Sequence, residues 1–224
     1  MTRVVPKPAI RGSQKWLQIA INEKPNLLNT AILNLLPTLE SQDITWFSPI
    51  KSDDYAEYRD DDFLKRLNII LPNRSLYSFW PRRGPQWDGL GKTSNGTVFL
   101  IEAKAHISEM QSPASHASAK SLNHIQESLR EVKSVLGIQS ETDWSGTYYQ
   151  YTNRLAHLYL LSELNKIPAY LVFVNFINDK EMNGPTHETQ WHRAIHELET
   201  HLGLPSKHSL SDYILHIYLD ISLL

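Results

Sequence analysis

Two acidic residues and a lysine are spaced so that a β-hairpin would bring them together. The segment reads Gly84-Pro-Gln-Trp-Asp88-Gly-Leu-Gly, passes through the polar turn Ser94-Asn95-Gly96, and continues as Val98-Phe-Leu-Ile-Glu102-Ala-Lys104. An apolar run of this kind, bounded by turn residues, predicts a fully buried strand. Side chains alternate along a strand, so Glu102 and Lys104 share the face of Val98 and Leu100. Burying a charge is costly unless it is paired or binds a metal. Asp88, Glu102 and Lys104 therefore suggest a metal site with a lysine beside it. A hard divalent cation, Mg²⁺ or Mn²⁺, prefers oxygen donors and keeps several waters. Asp88 and Glu102 make a minimal cage, and the Ala103 carbonyl is a further candidate ligand. Lys104 would then orient a nucleophilic water and offset charge developing on a phosphate, which is what phosphodiester hydrolysis needs.

The elements that must position these groups follow from caps and periodicity. Helices are predicted over residues 14–23, with Ser13 as N-cap, and from Pro25 to just before Pro37. A short strand is expected at 44–49. A helix is expected over 52–68, with acidic residues in its first turn. Its apolar stripe is Ala56, Phe63, Leu67 and Ile70, and Glu57 and Asp60 lie at the stripe's edge, three residues apart. Strands follow at 76–80, 86–90 and 98–104. Long helices are expected at 117–136 and 148–165, a strand at 169–177, an amphipathic helix at 189–201 and a last strand at 213–219. This order specifies a mixed α/β layer fold around a central sheet.

Asp88 followed by Glu102-Ala103-Lys104, on a hairpin preceded by an acidic helix, resembles the PD-(D/E)xK nuclease superfamily. The resemblance covers roughly residues 52–177. It implies a nuclease-like domain at 51–224 built on a restriction endonuclease-like αβββαβ core, with a helical extension at 1–50 packed on the core, in a single domain overall. The residue before Asp88 is Trp87 where that motif names proline. The implied activity is metal-dependent hydrolysis of nucleic acid, endonuclease or exonuclease, with DNA the first choice of substrate. The superfamily's helix carboxylate is assigned to Glu57, with Asp60 second and Asp61 third. Gln150 and Arg154, an i, i+4 pair, resemble the glutamine-bearing helix of the RecB-type branch, where tyrosine is the usual i+4 partner. Arg154 there suits a bidentate phosphate contact. Arg82, Arg83 and Lys92 are further phosphate contacts, and Glu109 falls at the site's edge.

The bulk numbers frame these readings. With 224 residues, 41% hydrophobic and 21% charged, the chain is long and apolar enough to form a globular core. It has no cysteine, which excludes disulfides and thiolate chemistry. It has no apolar run of membrane-spanning length and no signal-like N-terminus, so a cytoplasmic location is expected. Its net charge is −2, so nucleic-acid binding must rest on a local basic patch. A homo-oligomer is compatible with the sequence but not required by it. His192 and His196 have i, i+4 spacing, but His196-Glu-Leu-Glu-Thr-His201 does not match His-Glu-x-x-His, and neither is expected to bind metal. Gly89-x-Gly91 is too short for a dinucleotide loop. The rival readings are a non-catalytic nucleic-acid-binding or assembly module on the same fold, and an unrelated α/β protein with a structural ion pair.

Overall fold

The computed structural model describes residues 2–224. In chain order its elements are β1 (Arg3–Val4), α1 (Gly12–Asn22), α2 (Pro25–Leu33), β2 (Ile44–Ser48), β3 (Glu57–Tyr58), α3 (Asp61–Arg66) and α4 (Leu76–Phe79). Then come β4 (Gly89–Thr93), β5 (Val98–Lys104), α5 (Ala119–Val135), α6 (Tyr149–Tyr159), β6 (Ala169–Ile177), α7 (Glu188–Leu202) and β7 (Ile214–Asp220).

Five strands form one mixed sheet in the order β2-β4-β5-β6-β7. The β2, β4 and β5 strands are antiparallel neighbours, while β5, β6 and β7 run parallel. Central β5 is buried along its whole length because helices cover both sides. Phe99, Ile101 and Ala103 face α1 and α2, meeting Leu17, Ile21, Leu28 and Ile32. Val98 and Leu100 face the other layer, with Leu129 of α5 and Leu155 and Leu158 of α6. Glu102 and Lys104 continue this second face at the strand's C-terminal end. Gly89 and Gly91 are packing glycines. A Cβ at Gly89 would meet Ile101 at 3.0 Å, and one at Gly91 would meet Trp46 and Ile44 at 3.0 Å.

Several expected elements come out differently. The continuous acidic helix over 52–68 does not form. In its place are a 3₁₀ turn at Lys51–Asp53, the short strand β3 and the six-residue α3. Asp54, Tyr55 and Asp60 all take positive φ, which breaks a helix. The acidic side chains are drawn to distant partners instead. Arg3 and Arg66 pair with Asp53 at 2.8 and 3.4 Å, and Tyr77 donates to Asp61 at 2.8 Å. Ala56, Phe63 and Leu67 are buried, but Ile70 is 84% exposed. The expected strand at 76–80 is the helical turn α4, because the Ser75 hydroxyl caps it by accepting the Ser78 amide at 3.3 Å. The strand expected at 86–90 begins only at Gly89. The first helix starts at Gly12, with Arg11 rather than Ser13 at its N-cap.

The segment expected to be an extension is built into the layers. Its β2 is the sheet's edge strand, α1 and α2 close one face, and β1 pairs with β3. Among the described residues, no helix is long and apolar enough to cross a membrane.

Candidate active site

The hairpin register places the first two groups. Gly89 lies opposite Ile101, so Asp88, one step further out, is level with Glu102. Asp88 is fixed by the Ala103 amide, which donates to its Oδ2 at 2.8 Å. Glu102 is 1% exposed and accepts from two cations. Lys104 Nζ binds one of its oxygens, and the Nε and Nη2 atoms of Arg154 reach the other at 2.7 and 2.6 Å. The ammonium of Lys104 also donates to Gln150 Oε1 at 2.8 Å. Helix α6 thus presents Gln150 and Arg154 to the end of β5, on the shared face that their spacing specified.

Glu57 comes from β3 rather than from a helix, yet it lines the same cleft as Asp88, Gln150 and Arg154, with a volume of about 560 Å³. The Tyr58–Trp87 bridge brings β3 against the segment that carries Asp88. Side-chain amides hold Glu57: Gln14 of α1 donates at 2.8 Å, and Gln86 donates to its other oxygen. Asp60 has a different job. Its carboxylate accepts the Arg83 and Gly84 amides at 3.1 and 2.9 Å, which fixes the loop before Asp88. Asp61 binds Tyr77 instead of the cleft. Glu109 lines the cleft and accepts the Ala105 amide at 3.0 Å.

The basic residues divide. Arg83 stands at the cleft, and Arg82 lies over the Tyr77 ring at 4.6 Å. Lys92 sits at the far end of β4, opposite Val98, and donates to the Leu67 carbonyl at 2.8 Å, so it is not near the cluster. Arg154 is no free phosphate anchor. Its guanidinium also donates to the Gln86 carbonyl at 2.7 Å and to Asn153 at 2.9 Å, and lies over the Trp87 ring. His192 and His196 occupy the exposed face of α7, with His192 edge-on to Tyr218 at 5.0 Å.

Three carboxylates face two cations here, which leaves one negative charge in excess. The consequence falls on Asp88. Burial, then the charges of Glu102 and Glu57, push its carboxyl well above the usual range, and Lys104 and Arg154 offset this only in part. Burial also raises Glu57, against the amide hydrogen bonds from Gln86 and Gln14. For Glu102 burial again acts upward, but Arg154 and Lys104 outweigh it and the carboxyl lies below its usual value. A group raised above its unfolded pKa favours the protonated fold, so the stability it gives at low pH is lost as pH rises from about 3.8 through the raised folded value. Asp88→Asn should therefore raise the melting temperature at pH 7 in chelator, and the gain should vanish near pH 3. Equal or lower stability at pH 7 would show that the excess charge is not felt.

A buried histidine supports the cluster from behind. His157 of α6 contacts Asn153 carbonyl through Nδ1 at 2.8 Å and packs edge-on against Trp80, Trp87 and Phe63. Burial pushes its pKa down to about 3. His216 of β7, stacked on Phe173 at 4.9 Å, is pushed down to about 4 by burial. Both stay neutral in the fold while the unfolded chain protonates, so the stability they give is present above pH 6.5 and lost as pH falls toward 4 and 3. Each contributes up to about 1.4 kcal/mol per pH unit. Thermal melts between pH 6.5 and 4 should show this slope, and His157→Phe should flatten it.

The residue spacing did not reveal Gln86, Gln14 or Asn153. Gln86 had a usable signal, since it stands two residues before Asp88 on an extended segment and so shares its side. Gln14 had none, lying 43 residues from Glu57.

A hard, water-rich cation suits this donor set, because Mg²⁺ is commonly held by one or two carboxylates while keeping several waters. Asp88 carries the charge such an ion would neutralise. Among the described residues, no three His, Asp or Glu side chains converge as a ready cage, since Glu102 and Glu57 are turned to their own donors. No family model, curated protein or solved structure matches the chain.

Proposed function

We propose that the chain is a metal-dependent nuclease of the PD-(D/E)xK type, acting on nucleic acid in the cytoplasm, with DNA the first substrate to test. The observation that carries this reading is Asp88 at the cleft, held by the Ala103 amide and level in the strand register with Glu102, whose side chain and that of Lys104 line a small cavity on the other side of Gln150 rather than the cleft itself. The five-stranded mixed sheet with helices on both faces is compatible with such a core. Asp88, with Glu102 or Glu57 and the Ala103 carbonyl, would hold Mg²⁺ or Mn²⁺, which when bound polarises a phosphate and lowers the pKa of water. Lys104 donates to the developing phosphate charge, and Gln150 fixes its ammonium. Arg154 keeps Glu102 ionised and in place.

One observation favours the alternative of a non-catalytic nucleic-acid-binding or assembly module. Both oxygens of Glu102 are already held by cations, which a purely structural site would also show. A cleavage screen separates the two readings. Single-stranded DNA, duplex DNA and RNA are incubated with Mg²⁺, Mn²⁺ or chelator. Metal-dependent cleavage that Asp88→Asn abolishes supports the nuclease. Nucleic-acid binding with no cleavage under any metal supports the module.

A further inference from the structure

A second cavity of about 560 Å³ adjoins the acidic cleft. The two share Arg83, Ser115, His116 and Tyr149 in their walls. Their chemistry is opposite. The cleft is lined by Glu57, Asp88 and Glu109, whereas no carboxylate lines the second cavity, which adds Arg82 and the hydroxyls of Ser118 and Ser121. Arg82 and Arg83 are exposed, and neither forms an ion pair among the described residues. Arg82 lies over the Tyr77 ring, whose hydroxyl binds Asp61, and Arg83 shares the cleft wall with Glu57, Asp88 and Glu109, yet among the described residues neither guanidinium is within ion-pair distance of a carboxylate. The loop that carries them is fixed in advance by Asp60, and a Cβ at Gly84 within it would stand only 3.3 Å from His157. A fixed loop lowers the entropic cost of capturing an anion.

The shared wall includes the ring of Tyr149. Tyr149 lies near-parallel to Trp80, 17° between planes with centroids 6.5 Å apart. Arginines not held in ion pairs bind phosphates, hydroxyls add donors, and an aromatic ring offers a base its face. A pocket of this size falls in the range of about 300–1,000 Å³ that holds one small ligand. A base reaches such a pocket only when it is unpaired.

We propose that this cavity binds the nucleotide next to the scissile phosphodiester, its phosphate on Arg82 and Arg83 and its base against Tyr149, and that the substrate is therefore a single strand. The proposal rests on the nuclease reading of the acidic cleft for what is scissile, and on the cavity alone for the binding.

The test is fluorescence anisotropy of a short labelled oligodeoxythymidylate, and of a duplex of equal length, in chelator and over a salt series. The wild type is compared with the Arg82→Ala/Arg83→Ala double variant and with Arg82→Glu, after thermal melts show that both are folded. The wild type should bind the single strand more tightly than the duplex. The double variant should weaken binding about tenfold or more and flatten the salt slope by about 1.4, the loss of two contacts at about 0.7 each. Where the wild type cleaves, KM should rise far more than kcat falls. Unchanged affinity and slope in both variants, a duplex bound as tightly as the single strand, or no binding at all overturns the proposal. Cleavage with variant-insensitive binding removes the cavity and leaves the nuclease. Variant-sensitive single-strand binding without cleavage under any metal removes the nuclease and leaves the cavity as a single-strand site.

Discussion

Lys104→Ala should reduce metal-dependent cleavage by about 10²–10³ while leaving the protein folded, since the loss of one preorganised donor to developing charge typically costs that much. The fold should survive because Glu102 keeps Arg154, whose Nε and Nη2 remain at 2.7 and 2.6 Å. Strand binding should change little, because Lys104 acts most strongly when charge builds on the phosphate and a water loses its proton. The measurements are initial rates at saturating substrate and anisotropy in chelator on the same preparation. Wild-type rates in Lys104→Ala would remove the mechanism proposed for this site.

The largest stability effect is expected at Arg154, whose side chain is 4% exposed. Arg154→Met leaves Glu102 with a single cation and strips the Gln86 carbonyl of its donor. Breaking a buried ion pair from one side costs about 3–5 kcal/mol, and a chain of this size loses about 2–4 °C of melting temperature per kcal/mol. The expected fall is thus roughly 6–20 °C. Arg154→Lys should recover only part of it, because an ammonium cannot reproduce the forked contact. Arg154→Met combined with Glu102→Gln should melt higher than Arg154→Met alone, since the bare carboxylate is gone. A melting temperature for Arg154→Met equal to that of the wild type would show that Glu102 finds compensation elsewhere.

These residues also show what was legible in the sequence. The hairpin could be read because β5 is buried on both faces and so is written as a continuous apolar run, with Glu102 and Lys104 two residues apart on one side. The helices α5 to α7 and strands β6 and β7 carried caps, stops and apolar periods within their own segments. Residues 52–68 could not be read this way. The partners that break the expected helix, Arg3 for Asp53 and the Arg83 and Gly84 amides for Asp60, lie far along the chain. Glu57 was found for its chemistry, but the element carrying it was not, because β3 exists only through its pairing with β1 and Trp87. Arg154 shows the same limit from the other side. Its i, i+4 spacing fixed the face it occupies, but helical spacing alone does not distinguish a phosphate from Glu102 as the partner.

The place of β5 in the sheet sets an order of events during synthesis. Its antiparallel partner β4 precedes it directly, but its parallel partner begins at Ala169, 65 residues after Lys104. At a ribosomal rate of about 5–20 residues per second, the hairpin waits several seconds with one edge unpaired. An apolar strand with an open edge invites pairing with another chain. During that interval Asp88, Glu102 and Lys104 sit at the hairpin's open end without Arg154, and their charges are hydrated rather than buried. Three charged groups at that open end disfavour its pairing with another chain before α6 is made.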